Sequence, residues 1–271
     1  MKKRRLLYIL SAVCAFCLSV SPLKAADTAN KANAAQAGPV ISWGVVPNAR
    51  ETTPEPPKGS EKMLSENNGM FVADTSEKKV YFTFDLGYEA GYTAIVLDIL
   101  KENNIKAVFF ICGNYLQETE LIGRMVSEGH SLGNHTDRHK DLPTLSDEGI
   151  KKDIVDLTEK FNAQYMNTAT QIPSVRQDIK YFRPPQGRFD ERTLKAANAQ
   201  GMKTMLWSIA IVDWGKTPIN AVENAAKIEK RLHPGAIILF HITNSGTPEM
   251  LRLLIPKITA KGYQFGSPKD L

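Results

Sequence analysis

The chain has 271 residues, 42% hydrophobic and 23% charged, with a formal net charge of +5 at pH 7. Five basic residues and no acidic residue fall within residues 1–25, so the remainder carries 29 basic and 29 acidic residues. A near-neutral remainder argues against nucleic acid or anionic lipid as a partner.

The N-terminal residues 1–25 have the pattern of a secretory signal peptide. Four basic residues precede an uncharged apolar run over 6–20, and small residues follow it. The run is shorter than the roughly 20 residues that a spanning helix needs, although an uncleaved N-terminal membrane tether stays open. We therefore expect a secreted or membrane-tethered protein at the cell envelope. Only Cys112 lies beyond this segment, which predicts a buried free thiol and no internal disulfide.

Residues 26–67 predict a linker followed by an extended segment. The first dozen residues lack any periodic apolar pattern, and Trp43-Gly44 and the prolines at 54, 56 and 57 follow them. Such a segment can pack across the outside of a domain. Residues 68–271 keep a steady apolar content and predict one domain with a sizeable core.

Short apolar runs alternate with helical patterns through that domain. Strands are predicted at 80–84, 107–111, 130–134, 180–182, 203–209, 236–240 and 262–265, and helices at 92–103, 118–128, 146–163, 190–200, 218–232 and 248–260. Ser146 is a candidate helix N-cap. Helix ends are predicted at Gly129, Gly201 and Gly262. The alternation predicts an α/β fold, with about seven parallel strands closed or nearly closed into a barrel.

Polar groups recur where the predicted strands end. The residues are Asp85, His135 to His139, Arg183 to Gly187, Asp213-Trp214 and His241. In a parallel barrel these carboxyl ends gather at one mouth, which is where we expect the active site.

His135 and His139 have the spacing of a two-histidine metal site. Such a pair is weak evidence alone, because surface histidine pairs also arise by chance, but its place beside the other strand ends strengthens it. His130 and His233 adjoin turns on the opposite side and are expected to be structural.

These motifs resemble the polysaccharide deacetylases of carbohydrate esterase family 4. The matching motifs are Thr83-Phe84-Asp85, His135-Thr136-x-x-His139, Arg183-Pro184-Pro185-x-Gly187, Asp213-Trp214 and Leu239-x-His241. The residues at 85–93, 207–214 and 233–236 and Trp43-Gly44 look like the branch that deacetylates N-acetylmuramic acid in spore formers. The resemblance implies a distorted (β/α) barrel and a peptidoglycan glycan strand as substrate.

Amide hydrolysis needs an activated water, a polarised carbonyl and a proton for the departing amine. Asp85 is the natural general base, with Arg183 keeping it ionised, and His241 is the natural general acid, oriented by Asp213.

A divalent metal on His135 and His139, which we expect to be zinc with cobalt or manganese as alternatives, would activate the water. Trp214 and Leu239 suit a slot for the acetyl methyl, with ordinary core packing as the alternative. Pro184 and Tyr88 are placed with them as substrate-binding residues, and Pro184 also stiffens the loop that carries Arg183.

Two positions depart from the family. Most members have a second Asp after the base as third metal ligand, whereas this chain has Leu86, and Ala210 replaces another usual Asp. The metal is then held loosely by two histidines with water or substrate, or Glu89 or Asp137 substitutes, or the site works poorly or not at all.

The leading function is a metal-dependent deacetylase of peptide-free N-acetylmuramic acid, whose product closes to the muramic lactam of spore cortex. The resemblance places such an enzyme between the forespore and mother-cell membranes, and a monomer is expected. A chitin-type N-acetylglucosamine deacetylase and a glycan-binding homologue of low activity are the alternatives.

Overall fold

The computed structural model describes residues 38–48, 50–166, 178–215 and 217–271. The predicted signal peptide and most of the linker lie outside these ranges, so both stay predictions, as does the domain boundary at residue 68. None of the helices in the described ranges is both long enough and apolar enough to span a membrane.

The strands of the described ranges are short and lie mostly where they were predicted. They are β1 (Ile41–Ser42), β2 (Gly69–Met70), β3 (Lys79–Leu86), β4 (Val108–Ile111), β5 (Ser131–Asn134), β6 (Tyr181–Phe182), β7 (Arg188–Phe189), β8 (Lys203–Met205), β9 (Ile209–Ala210), β10 (Ala236–His241) and β11 (Gln264–Phe265).

The helices of these ranges surround the sheet. They are α1 (Ser60–Glu66), α2 (Thr93–Glu102), α3 (Thr119–Ser127), α4 (Asp147–Phe161), α5 (Glu191–Asn198), α6 (Ala221–Glu229) and α7 (Thr247–Ala260). The Ser146 side chain accepts a hydrogen bond from the Gly149 N–H, as expected of an N-cap. Gly129, Gly201 and Gly262 have φ values of 88°, 73° and 78°, which confirms them as left-handed helix ends.

The central sheet curls into a half-barrel with helices around it, which confirms the predicted α/β fold class, although its end strands β2 and β9 are not paired with each other. Its strand order is β2-β8-β6-β5-β4-β3-β10-β9, with β11 also on β3, and these strands pair in parallel. The single strand predicted at 203–209 is broken into β8 and β9. The break has a physical reason, because β8 pairs with β6 whereas β9 pairs with β10 on the far side of the sheet.

Strand β3 shows how the sequence divides the core. Val80, Phe82 and Phe84 lie in the large apolar cluster shared with the helices, while Tyr81 lies in a second cluster with residues of β4, β8 and β10. Successive side chains of a strand point to opposite faces. Asp85 therefore shares the Tyr81 face, and Leu86 packs in the same cluster as Phe84.

The extended N-terminal segment packs against the outside of this barrel. Strand β1 pairs antiparallel with β7, and Trp43 is buried in a cluster with Phe189 and Leu194. The sequence patterns did not predict β1, β2, β7 or α1, because elements of two to seven residues carry no measurable periodicity.

Candidate active site

Strands β3 and β10 bring the predicted base and acid together. Their parallel register places His241 directly beside Asp85 at the carboxyl ends of the strands. Neighbouring strands lie roughly 4.8 Å apart, so the two side chains enter one site. The remaining predicted groups lie in the segments that follow β5, β6 and β9.

Arg183 fixes Asp85 in its ionised form. Its Nη1 donates to Asp85 Oδ1 at 2.8 Å, and its Nε and Nη2 donate to the carbonyls of Met205 and Leu206 at 2.9 and 3.3 Å. Burial would raise the pKa of Asp85, but the guanidinium and the neighbouring imidazoles outweigh it and hold that pKa below its ordinary value. Asp85 is therefore a carboxylate at neutral pH.

His135 presents an unprotonated nitrogen to the site. Its Nδ1 lies 2.9 Å from the Arg183 carbonyl oxygen, which can only accept, so Nδ1 carries the proton. Its Nε2 lies 3.5 Å from Asp85 Oδ2. Burial lowers the pKa of His135 to about 4, so the ring is neutral at physiological pH. The His139 ring lies beside it, with 4.9 Å between ring centroids.

The loop that carries both histidines is anchored on α4. The Asn134 side chain accepts from the Thr136 N–H and donates to the Ile154 carbonyl, both at 2.8 Å. The Asp153 carbonyl accepts from the Asp137 N–H, and its carboxylate accepts from Arg138 Nε at 2.8 Å.

This anchoring supports strained backbone in the same loop. Thr136 and His139 have φ values of 67° and 51°, in the left-handed region that L-residues seldom adopt. Such strain persists only where surrounding contacts hold it.

Asp213 holds His241 through two hydrogen bonds. Its carboxylate accepts from the ring Nδ1–H and from the His241 backbone N–H, both at 2.8 Å. Burial would lower the pKa of His241, but the hydrogen bond and charge of Asp213 outweigh it, and that pKa lies above its ordinary value. Because Asp213 occupies Nδ1, the ring offers Nε2 to a substrate.

Asp85, His135, His139 and His241 line an open groove of about 720 Å³, while Arg183 and Asp213 are buried behind them. Tyr88 and Trp214 stand at its edges with 58% and 60% of their surface exposed, and Leu239 is buried in its wall. Pro184 is buried and does not line the groove. It directly precedes the turn at 185–187, so its position fits the stiffening role rather than substrate contact.

Several lining or supporting residues were not singled out from the sequence. Trp207 and Gln186 line the groove, and Asn134 and Asp153 support the histidine loop. Trp207 was noted only as part of a resemblance. The left-handed φ of 59° at Gln186 and the contacts of Asp153 depend on tertiary structure and leave no local pattern.

Comparison with known proteins identifies this arrangement. The sequence profile described as polysaccharide deacetylase matches residues 72–205. The peptidoglycan-N-acetylmuramic acid deacetylase PdaA of Bacillus subtilis is 35% identical over 233 residues, which cover 85% of both chains. The chain belongs to the polysaccharide deacetylase family. Membership confirms the expectation of a hydrolytic N-deacetylase of polysaccharides.

Two solved structures and a further relative agree with this family assignment. The solved PdaA structure superposes with a TM-score of 0.75 over 86% of this chain and 96% of that one. A family 4 carbohydrate esterase from Bacillus anthracis gives a TM-score of 0.68 at 32% identity, covering 86% and 96%. A peptidoglycan-N-acetylglucosamine deacetylase of Bacillus cereus is 30% identical over 200 residues, 72% of this chain and 68% of its own.

The imidazoles of His135 and His139 are suitable ligands for a divalent ion in this deacetylase. In the described ranges no group of three His, Cys, Asp or Glu side chains is arranged to hold a metal. His135 and His139 nevertheless offer neutral ring nitrogens. The hydrogen bond from His135 Nδ1 to the Arg183 carbonyl orients the His135 ring, so that Nε2 is the nitrogen presented to a metal. Leu86 packs in the apolar cluster and adds no ligand.

Neither carboxylate proposed as a substitute ligand is available. Glu89 accepts from the N–H groups of Gly91 and Thr93 at the start of α2 and from the Tyr115 hydroxyl. Asp137 is paired with Lys160 Nζ, 2.7 Å from each carboxylate oxygen. The structure thus favours two imidazoles completed by water or substrate.

The other ionisable groups singled out earlier are structural in this deacetylase. Cys112 is a buried free thiol whose pKa is raised by burial. His130 is buried under Phe109 and accepts from the Ala107 N–H, and burial lowers its pKa to about 3. His233 bonds to Ser208 Oγ at 2.9 Å.

Proposed function

We propose that the chain removes the N-acetyl group from N-acetylmuramic acid residues of peptidoglycan strands that carry no peptide stem. The observation that supports it most directly is that Asp85 and His241 lie side by side in one groove. Asp85 is held by the oppositely charged Arg183, and His241 is held by Asp213. This arrangement gives one group that accepts a proton and one that donates it, as amide hydrolysis requires.

Asp85 acts as the general base. Arg183 occupies Oδ1, so Oδ2 is the oxygen that accepts the proton of the attacking water. The lowered pKa of Asp85 keeps it ionised before the reaction, and the rigid guanidinium keeps it in place.

His241 acts as the general acid. Asp213 fixes its ring and favours the imidazolium form, so a proton is available at Nε2 for the departing amine. The amine is a poor leaving group unless it is protonated, which makes this second transfer as necessary as the first.

His135 and His139 would hold the divalent ion, for which we propose zinc. When bound, such an ion polarises the acetamide carbonyl and brings the pKa of water toward about 7. Two protein ligands predict a weakly held metal, with cobalt and manganese as competitors.

The substrate assignment rests on the relative PdaA, which matches along most of both chains. A muramic amine released beside its own lactyl carboxyl can close to a lactam, and we propose the spore cortex as the place of this modification. The protein would then act as a monomer in the space between the forespore and mother-cell membranes. The relative that acts on N-acetylglucosamine supports a second candidate substrate.

Acetate release tests the proposal. Peptide-free glycan strands should yield acetate, whereas chitin oligomers and intact peptidoglycan should yield far less. Thorough chelation should abolish release and zinc should restore it. No acetate under any metal supplement would leave only a glycan-binding role, release unaffected by chelation would exclude the metal, and faster release from chitin oligomers would favour the glucosamine substrate.

A further inference from the structure

Trp207 forms part of the groove wall, and the N-terminal segment holds it from behind. The Trp43 indole Nε1–H donates to the Trp207 carbonyl at 2.9 Å, and the Trp43 backbone N–H donates to the Gly187 carbonyl at 2.8 Å. Both acceptor residues line the groove. Trp43 is itself buried, with its ring centroid 5.2 Å from that of Phe71.

Gly187 packs tightly between the two tryptophans. A Cβ at this position would lie 2.7 Å from the Trp207 ring and 3.1 Å from the Trp43 Cβ, and the φ of 64° already favours glycine. A shift of Trp43 would therefore be transmitted both to Trp207 and to the turn that carries Gln186.

The same wall adjoins the catalytic carboxylate. The Arg183 guanidinium carbon lies 5.7 Å from the centre of the Trp207 ring, and Arg183 in turn holds Asp85. Because Arg183 has further contacts with Phe110, Met205 and Leu206, a disturbance at Trp207 should affect the shape of the groove more than the base itself.

We propose that Trp43 is a positioning residue of the active-site groove. It holds Trp207 and the turn at 185–187 in the shape that receives the glycan. The inference rests on the proposed function in taking a glycan strand as the occupant. It goes further because Trp43 precedes residues 72–205, the range that the family profile matches. The inference makes this N-terminal segment part of the substrate-binding structure.

Three single variants test this role. Trp43→Ala removes the ring and the N–H, Trp43→Phe removes the N–H and keeps an aromatic ring, and Leu194→Ala is the control. Leu194 belongs to the same buried cluster on α5 but does not line the groove. Steady-state kinetics on peptide-free muramic glycan separates KM from kcat, and thermal unfolding reports how much stability each variant loses.

We expect Trp43→Ala to raise KM about tenfold and to change kcat less than about threefold, since positioning of a binding wall is lost rather than a proton transfer. Trp43→Phe should raise KM by at most about fivefold, the factor that corresponds to one whole hydrogen bond of roughly 1 kcal/mol. Leu194→Ala should lose stability with its KM unchanged.

Calorimetry measures the dissociation constant of the same glycan for each variant. The variants carry Asp85→Asn as well, so that the glycan is not hydrolysed, and their dissociation constants should follow the same order as the KM values. If the wild type releases no acetate, the proposed function fails while the calorimetric series still decides the role of Trp43. Unchanged KM and dissociation constant in both Trp43 variants would overturn the inference, as would an equal rise in Leu194→Ala. If Trp43→Ala does not fold, Trp43→Phe decides.

Discussion

Replacing Asp213 by Asn should shift the pH dependence of activity and thereby identify His241 as the acid. Asp213 is fully buried and accepts both the ring N–H and the backbone N–H of His241. A hydrogen bond to a charged group contributes about 1.5–3 kcal/mol, more than a hydrogen bond between neutral groups. Removing the charge of Asp213 should therefore lower the pKa of His241.

The sign of the effect follows from the role of the ring. His241 must be protonated to act as an acid, so activity falls as pH rises through its pKa. The raised pKa of the wild type keeps the acid protonated at higher pH, and Asp213→Asn should move the alkaline limb of kcat/KM to lower pH. An additional fall in kcat of about a hundredfold or more is expected, because an amide can stabilise the wrong ring tautomer.

The assay is acetate release from peptide-free glycan across the pH range, with Asp190→Asn as the matched control. Asp190 is equally buried, but it caps α5 by accepting from the Thr193 N–H, whereas Asp213 accepts from His241. Asn also caps helices well, so this control should keep the wild-type profile. An alkaline limb that stays in place in Asp213→Asn would refute His241 as the general acid.

Four further outcomes follow from the geometry. Asp85→Asn should abolish acetate release and leave the circular dichroism spectrum unchanged; residual turnover above about a hundredth would argue against its role as base. Asp153→Asn should weaken zinc affinity about tenfold by calorimetry while the protein stays folded, since it loosens the histidine loop. Gly187→Ala should lower the melting temperature and raise KM through contact with the groove wall. Leu86→Asp should lower the free energy of unfolding by more than about 3 kcal/mol, and recovery by zinc would contradict its placement in the apolar cluster.

The sequence was most informative where one physical pattern dominated. Strand β3 is apolar on both faces because helices cover one and the barrel interior the other, so its apolar run and terminal Asp85 predicted both the strand and the base. Two-residue strands such as β1 and β7 have no such pattern. They pair beside the buried Trp43, whose packing against Phe189 joins residues far apart in the sequence.

The same distinction applies within the site. Groups at strand ends were predictable, because parallel topology gathers them at one mouth. The supports of those groups were not, because Asp153 lies on the buried side of an amphipathic helix where the pattern predicts only packing. The break between β8 and β9 was missed for a related reason. The apolar pattern predicts one extended run over 203–209, but the change of partner from β6 to β10 depends on the curl of the whole sheet.

Arg183 connects the two halves of the site, and this explains how it is organised without a third protein ligand at residue 86. Its guanidinium fixes the carboxylate of Asp85, while its own carbonyl fixes the ring of His135. A fully buried guanidinium needs partners for its N–H groups, and the carbonyls of Met205 and Leu206 supply them from the far side. Base and imidazole are thus oriented by one residue that the core itself holds in place, so their relative geometry does not depend on a bound ion.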